Sequence, residues 1–235
     1  MRSYISNNLD FIQRKYGSFQ VLRHGFWFID IPRTSSSSIR LELGRKFGFP
    51  YGKKDLIDTE YRDNKLIDIF PSHMTAQEAR YALGKSVWDR IFKFTIVRNP
   101  WERVYSLYAF RKKRGRTDET LSFRDYILSL YQHSINNNCS SLFKYPPHYY
   151  GSSDFILDSN GEIMVDYIAK YEDREHGLKS VASKIGFSEL GGLHTQRAAS
   201  EAKHYSCFYD SETKEIVRNI YKKDVELFDY QFNYM

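Results

Sequence analysis

Hydrophobic and polar positions switch between two periods along this chain, and the switches predict its elements. The run Phe26-Trp27-Phe28-Ile29-Asp30-Ile31 is aromatic and β-branched with a single Asp, and Pro32 bounds it, so a short buried strand is predicted at about 26–31. Arg33-Thr34-Ser35-Ser36-Ser37-Ser38 then turns polar, and Ile39 to Phe47 has helical spacing. The order is strand, tight hydroxyl-rich loop, helix. Such a loop aims backbone N–H groups and the positive end of a helix at one spot, which suits a phosphate or sulfate group.

Further along, Ile91 to Val97 predicts a second strand, ended by Arg98-Asn99-Pro100. Pro100 fits a first helical turn, and the helix should run to about Lys113. Leu66 to Phe70 reads as a short strand stopped by Pro71. Ser72 to Glu78 reads as a loop entering a helix, with Thr75 as N-cap and Glu78 as its capping-box partner. Helices are also expected at Ser122 to Ser134 and at Leu178 to Ile185, the latter ended by Gly186. Phe155 to Asp158 and Ile163 to Ile168 flank Ser159-Asn160-Gly161-Glu162, a hairpin signal. Thr213 to Phe228 predicts one closing amphipathic helix, with Ile216, Val217, Ile220 and Tyr221 on one face. Residues 1–25 read as peripheral, and 136–153 and 189–203 as long functional loops. Alternating strands and helices predict an α/β fold with a parallel sheet, as a single domain over 1–235.

Composition and charge add to this picture. A hydrophobic fraction of 41% supports a full core. The two cysteines, Cys139 and Cys207, form neither a disulfide framework nor a metal pattern, which points to a reducing compartment or to indifference to redox state. Charges are scattered through Met1 to Lys15, and no stretch reaches the roughly 18 apolar residues of a membrane span, so a cytoplasmic protein is expected. The net charge of +6 favours an anionic ligand without choosing one. Arg111-Lys112-Lys113-Arg114-Gly115-Arg116 is the densest basic run.

Two stretches together resemble a known family. Ile31-Pro32-Arg33-Thr34-Ser35-Ser36-Ser37-Ser38-Ile39 resembles the 5′-phosphosulfate loop of sulfotransferases of the carbohydrate-type, family 2-like branch. Val97-Arg98-Asn99-Pro100-Trp101-Glu102-Arg103-Val104-Tyr105-Ser106 is similar to that family's 3′-phosphate motif, an Arg at a strand end and a Ser eight residues on. His73 before a short helix, Val165 to Ile168 followed by Tyr171-Glu172, and the ending Ile220 to Tyr230 also match, so the resemblance covers about 26–232. It implies a three-layer fold, a central parallel sheet with helices on both faces around a nucleotide-binding core like that of P-loop kinases. It implies 3′-phosphoadenosine 5′-phosphosulfate (PAPS) as sulfate donor, the 3′,5′-bisphosphate (PAP) as product, no required metal, and a hydroxyl or amine of a carbohydrate or small metabolite as acceptor. No nucleic-acid partner is expected, and no sequence signature sets the oligomeric state.

By this resemblance Arg33, Thr34, Ser35, Ser36, Ser37 and Ser38 would hold the 5′-phosphosulfate, Arg98 and Ser106 the 3′-phosphate, and Arg197 would approach the nucleotide. Arg33 stands where the family usually has Lys, and serines stand where a later Gly is common. Arg keeps the positive charge for the leaving oxygen but does not readily release a proton. His73 is the candidate general base, since imidazole takes up a proton near neutral pH. Plainer readings stand beside these: a serine-rich helix cap, an Arg98–Glu102 ion pair, and a capping or core His73. Arg103 reads equally as a core ion pair or a ligand contact. The basic run at 111–116 and the aromatics of Tyr145 to Tyr150 could face the acceptor, or be surface and packing. The alternatives to a sulfotransferase are a kinase-like phosphotransferase and a non-catalytic polyanion-binding module. Against the first, the chain has no Gly-x-x-x-x-Gly-Lys-Ser/Thr loop.

Overall fold

Four consecutive buried residues, Phe26–Ile29, form the first strand, β1. The structure, a computed structural model, describes residues 15–47, 70, 72–118, 120–136, 148–190 and 203–234. In chain order its elements are α1 (residues 15–24), β1, α2 (Ser36–Phe47), α3 (Ala76–Leu83), α4 (Lys85–Trp88), β2 (Phe92–Val97), α5 (Pro100–Lys113), α6 (Phe123–Asn136), α7 (Ser152–Ile156), β3 (Tyr167–Lys170), α8 (Arg174–Lys184), α9 (Ser211–Ile220) and α10 (Lys222–Leu227). The chain divides into two compact units.

The first unit draws on Met1–Ile31, Ser35–Val97 and Phe155–Gln196 and contains the sheet. Its strands run β1-β2-β3, all parallel, with Phe28 opposite Phe94 and Phe94 opposite Tyr167. Successive side chains of a strand point to opposite faces. Phe26 therefore meets Phe47 of α2 at 5.0 Å, while Trp27 on the other face meets Phe70 at 5.3 Å. Both faces of β1 are covered, which is why it reads as an unbroken apolar run rather than an alternation. The fold is mixed α/β with a parallel sheet flanked by helices, as the sequence predicts.

Helix α8 approaches β3 at Gly177. A Cβ there would lie 2.7 Å from Cβ of Ala169, a short side chain on a strand that cannot swing aside. Gly177→Ala gains about 1 kcal/mol of helix propensity. Overpacking typically costs about 1–3 kcal/mol, so the net expectation is a loss of about 1 kcal/mol. A thermal melt should show it as a fall of roughly 2–4 °C. A rise in melting temperature would show that α8 moves away at no cost.

The hairpin expected at 155–168 forms only in part. Leu157 and Ile163 make one antiparallel bridge, but Phe155 and Ile156 are helical, and Tyr167–Lys170 pairs in parallel with β2 instead. Two contacts account for this. Asp166 holds Lys93, its carboxylate 3.0 Å from Nζ and accepting from the Lys93 backbone N–H at 2.7 Å. At the start of α7, the Asp224 carboxylate accepts from the N–H groups of Ser152 and Ser153 at 2.6 and 2.8 Å. The strand expected at 66–70 falls largely outside the described residues, as does most of the 136–153 loop.

The second unit draws on Pro32–Thr34, Arg98–Asp154 and Arg197–Met235. Asn99 caps α5, its Oδ1 accepting from the Trp101 N–H at 3.1 Å, with Pro100 in the first turn as predicted. The single closing helix expected at 213–228 is broken into α9 and α10 at Tyr221, whose backbone leaves helical geometry at φ −108° and ψ 30°. Two buried contacts favour the break. The Tyr221 hydroxyl donates to the Tyr149 carbonyl at 3.1 Å, and Asp224 turns inward to the α7 backbone. Burial pushes the Tyr221 phenol up to about 12, so it stays a neutral donor.

Candidate functional site

The loop joining β1 to α2 is held in a conformation that L-residues seldom adopt. Among the described residues, the non-glycine residues with positive φ are Arg33 (68°), Ser35 (67°), His73 (66°) and Asp229 (52°). Such backbones cost on the order of 1 kcal/mol each and concentrate at functional sites. Ser35 therefore occupies a glycine-like conformation without glycine. The Ser35 carbonyl accepts from Ser38 and Ile39 N–H at 3.1 and 3.3 Å, starting α2 there. Thr34 and Ser36 are buried, and Ser37 and Ser38 are half-buried. The first turn of α2 carries no acidic side chain of its own.

Within the second unit, residues from both sequence motifs meet. The Arg33 guanidinium donates to Ser106 Oγ through Nε at 3.2 Å and Nη2 at 3.0 Å, and lies 4.4 Å above the Phe110 ring. Arg98 donates through Nη1 to the Arg33 carbonyl at 3.0 Å and through Nη2 to Glu102 at 2.6 Å. The helical repeat explains the grouping. Positions 98, 102, 106 and 110 are each four apart, so Glu102, Ser106 and Phe110 form one stripe along α5 with Arg98 at its head. A guanidinium and a hydroxyl are donors of the kind that a phosphate needs. Glu102 opposes an anion there by occupying Arg98.

The other cations of α5 do different things. Arg103 is buried, donates to the Tyr150 carbonyl, and lies 5.2 Å from the Tyr221 ring centre, so it braces the core. Arg111 is buried and donates to Tyr149 Oη at 2.6 Å. Lys112, Lys113, Arg114 and Arg116 are exposed around the C-terminal end of the helix, where cations suit the helix dipole. Of the aromatics considered for an acceptor, Tyr149 is buried and Tyr150 exposed.

In the first unit, His73 sits just before α3 and against the end of β1. Its Nδ1 lies 2.8 Å from the Asp30 carbonyl oxygen and 3.2 Å from Asp30 Oδ1. Arg40 of α2 donates to Asp30 Oδ2 at 3.1 Å. Asp30 is 3% exposed and His73 9%. Thr75 caps α3, and Glu78 accepts from the Thr75 N–H and hydroxyl at 2.7 and 3.0 Å, the predicted capping box. Sequence reasoning did not single out Asp30 or Arg40. The available signal was one carboxylate inside an otherwise apolar strand run, ten residues before an Arg.

Arg197, His194, Cys139 and residues 145–147 lie outside the described residues. Among the described residues no group of three or more His, Cys, Asp or Glu could hold a metal ion, and no helix is long and apolar enough to cross a membrane.

Known proteins bear on this arrangement. An uncharacterized protein of Archaeoglobus fulgidus is 30% identical over 128 residues, which is 54% of this chain and 95% of that protein. The crystal structure of a sulfotransferase from Alicyclobacillus acidocaldarius is similar with a TM-score of 0.39 and 15% identity over 92% of each chain. The model of the sulfotransferase family matches residues 22–231, a span that contains the Arg33 loop, His73 and the Arg98–Ser106 stripe. The chain belongs to the sulfotransferase family.

Proposed function

We propose that the protein transfers a sulfuryl group from PAPS to a hydroxyl or amine of a carbohydrate or small metabolite. In this reading Thr34 and Ser35 to Ser38 hold the 5′-phosphosulfate with Arg33, and Arg98 and Ser106 read the 3′-phosphate. Arg197 approaches the nucleotide. The acceptor gives its proton to His73 as its oxygen or nitrogen bonds to sulfur. The bond from sulfur to the 5′-phosphate oxygen breaks, and that oxygen leaves with the electron pair, its charge stabilised by Arg33. No metal is needed, because the donor carries its own leaving group.

One observation carries the reading. Arg33 and Ser106, 73 positions apart and each from a different anion motif, are in hydrogen-bond contact. Family membership supports it independently, and the match across both compact units supports treating 1–235 as one sulfotransferase domain. A cytoplasmic setting belongs to the same reading.

The test is a thermal-shift panel with PAP, ATP with magnesium, GTP and heparin, since a ligand that binds only the folded state raises its apparent stability. Preference for PAP supports the reading. A preference for ATP with magnesium, or a response to heparin alone, overturns it in favour of a phosphotransferase or a polyanion binder.

Arg98→Ala should weaken PAP binding by about 2 kcal/mol, roughly 30-fold, the usual cost of a lost charge-assisted contact. The loss should be much smaller for adenosine 5′-phosphosulfate, which lacks the 3′-phosphate. Titration calorimetry with both ligands separates the cases, and equal losses would remove Arg98 from that phosphate.

A further inference from the structure

We propose that Asp30 is a positioning residue for His73, selecting its proton-accepting nitrogen and balancing the charge it gains, with Arg40 holding Asp30 in place. This rests on reading His73 as the base of sulfuryl transfer. The decisive contact is with the main chain. A carbonyl oxygen only accepts hydrogen bonds, so His73 Nδ1, 2.8 Å from the Asp30 carbonyl, carries the hydrogen. In the neutral ring the lone pair is then on Nε2, and Nε2 is the atom that takes the acceptor's proton.

The side chain of Asp30 does the second part. Its Oδ1, 3.2 Å from the same Nδ1, meets the positive charge that spreads over the ring once Nε2 is protonated. A carboxylate this buried needs a partner of opposite charge, and Arg40 supplies it at Oδ2, 3.1 Å away. The pair leaves the other oxygen of Asp30 toward the imidazole. The backbone of His73 is held at a positive φ, so the ring is presented from a conformation that histidine seldom adopts. The competing account is an Asp30–Arg40 pair that only staples the end of β1 to α2, with His73 a bystander. That account predicts lost stability in Asp30 variants and no change in the chemistry of the folded protein.

Two measurements separate them. The first needs no variant at the pair. In protein labelled with ¹⁵N-histidine, long-range ¹H–¹⁵N correlations at a pH where the ring is neutral should show His73 as the Nδ1–H tautomer, its signals assigned by their loss in His73→Gln. An Nε2–H tautomer overturns the proposal. The second is turnover, read as free sulfate released from PAPS with water as acceptor. Asp30→Asn should keep the Nδ1–H tautomer, because the carbonyl remains, yet lose about 10–100-fold in kcat with PAP affinity within twofold of wild type. That is less than the about 10⁴-fold seen when an Asp in a serine-protease triad is replaced and the tautomer is lost as well. Asp30→Glu, which restores the charge, should recover part of the rate. Wild-type turnover in Asp30→Asn beside an inactive His73→Gln overturns the role of Asp30 and leaves His73 as base. Wild-type turnover in His73→Gln overturns both.

Discussion

His73→Ala should lower turnover by about 10²–10⁴-fold, the usual range for losing a general base, while PAP affinity stays close to wild type. The two parts of this result must appear together. The nucleotide grip is assigned to other side chains, so a fall in affinity of similar size would mean that His73 shapes the fold instead. Some stability should also be lost. The Asp30 carbonyl, now joined to Nδ1 at 2.8 Å, would be left without that donor, at a cost of about 1–3 kcal/mol. Turnover is therefore compared at a temperature where circular dichroism shows both proteins folded. His73→Asn should behave like Ala, because an amide keeps part of the shape but cannot take up the proton. Full turnover in His73→Ala would move the base elsewhere. Glu78 is then a poor substitute, since both of its capping-box bonds are made to Thr75.

What the sequence makes legible here is what neighbouring residues decide among themselves. The apolar run 26–31, the loop after it, and Pro100 in the first turn of a helix all appear in the structure near their expected places. So does the Thr75–Glu78 box. Arg98 and Ser106 were grouped by the resemblance to a family motif, and α5 places them on one stripe. What was not legible depends on partners far away in the chain. The break at Tyr221 and the helical turn at 152–156 are tied together by Asp224, whose bonds to Ser152 and Ser153 cross more than 70 positions. The parallel pairing of 167–170 needs β2 as a template, and the local turn signal at 159–162 pointed to a hairpin instead. The left-handed backbones at Arg33, Ser35 and His73 carry no glycine to announce them. Asp30 looked like an interruption in a strand until Arg40 and His73 gave it two neighbours.

Arg33→Ala should reduce turnover by about 10²–10³-fold, the scale of removing one preorganised donor from a developing negative charge. Its PAP affinity should fall less than that of Arg98→Ala, since the leaving oxygen gains most of its charge in the transition state. The geometry adds a second expectation. Both Nε and Nη2 of Arg33 donate to Ser106, and the guanidinium lies over Phe110, so the side chain is parked against the residue assigned to the 3′-phosphate. A ribose separates the two phosphates of the donor. From its place at 3.0 Å from Ser106, one guanidinium cannot also serve the 5′ end, so nucleotide binding should draw Arg33 off Ser106. Ser106→Ala then has two effects on PAP: a lost hydroxyl contact, and release of Arg33 from its resting partner. Their partial cancellation predicts a smaller affinity loss than for Arg98→Ala. Arg33→Lys should keep substantial activity, because an ammonium still supplies charge to the leaving oxygen. It gives up the two-point contact to Ser106 and the flat stacking over Phe110, so its resting position should be looser. Single-turnover sulfate release from PAPS, measured for Ala and Lys side by side, distinguishes charge from shape. Near-normal turnover in Arg33→Ala would take Arg33 out of the mechanism and direct the search to another cation, beginning with Lys112, Lys113, Arg114 and Arg116 around the C-terminal end of α5.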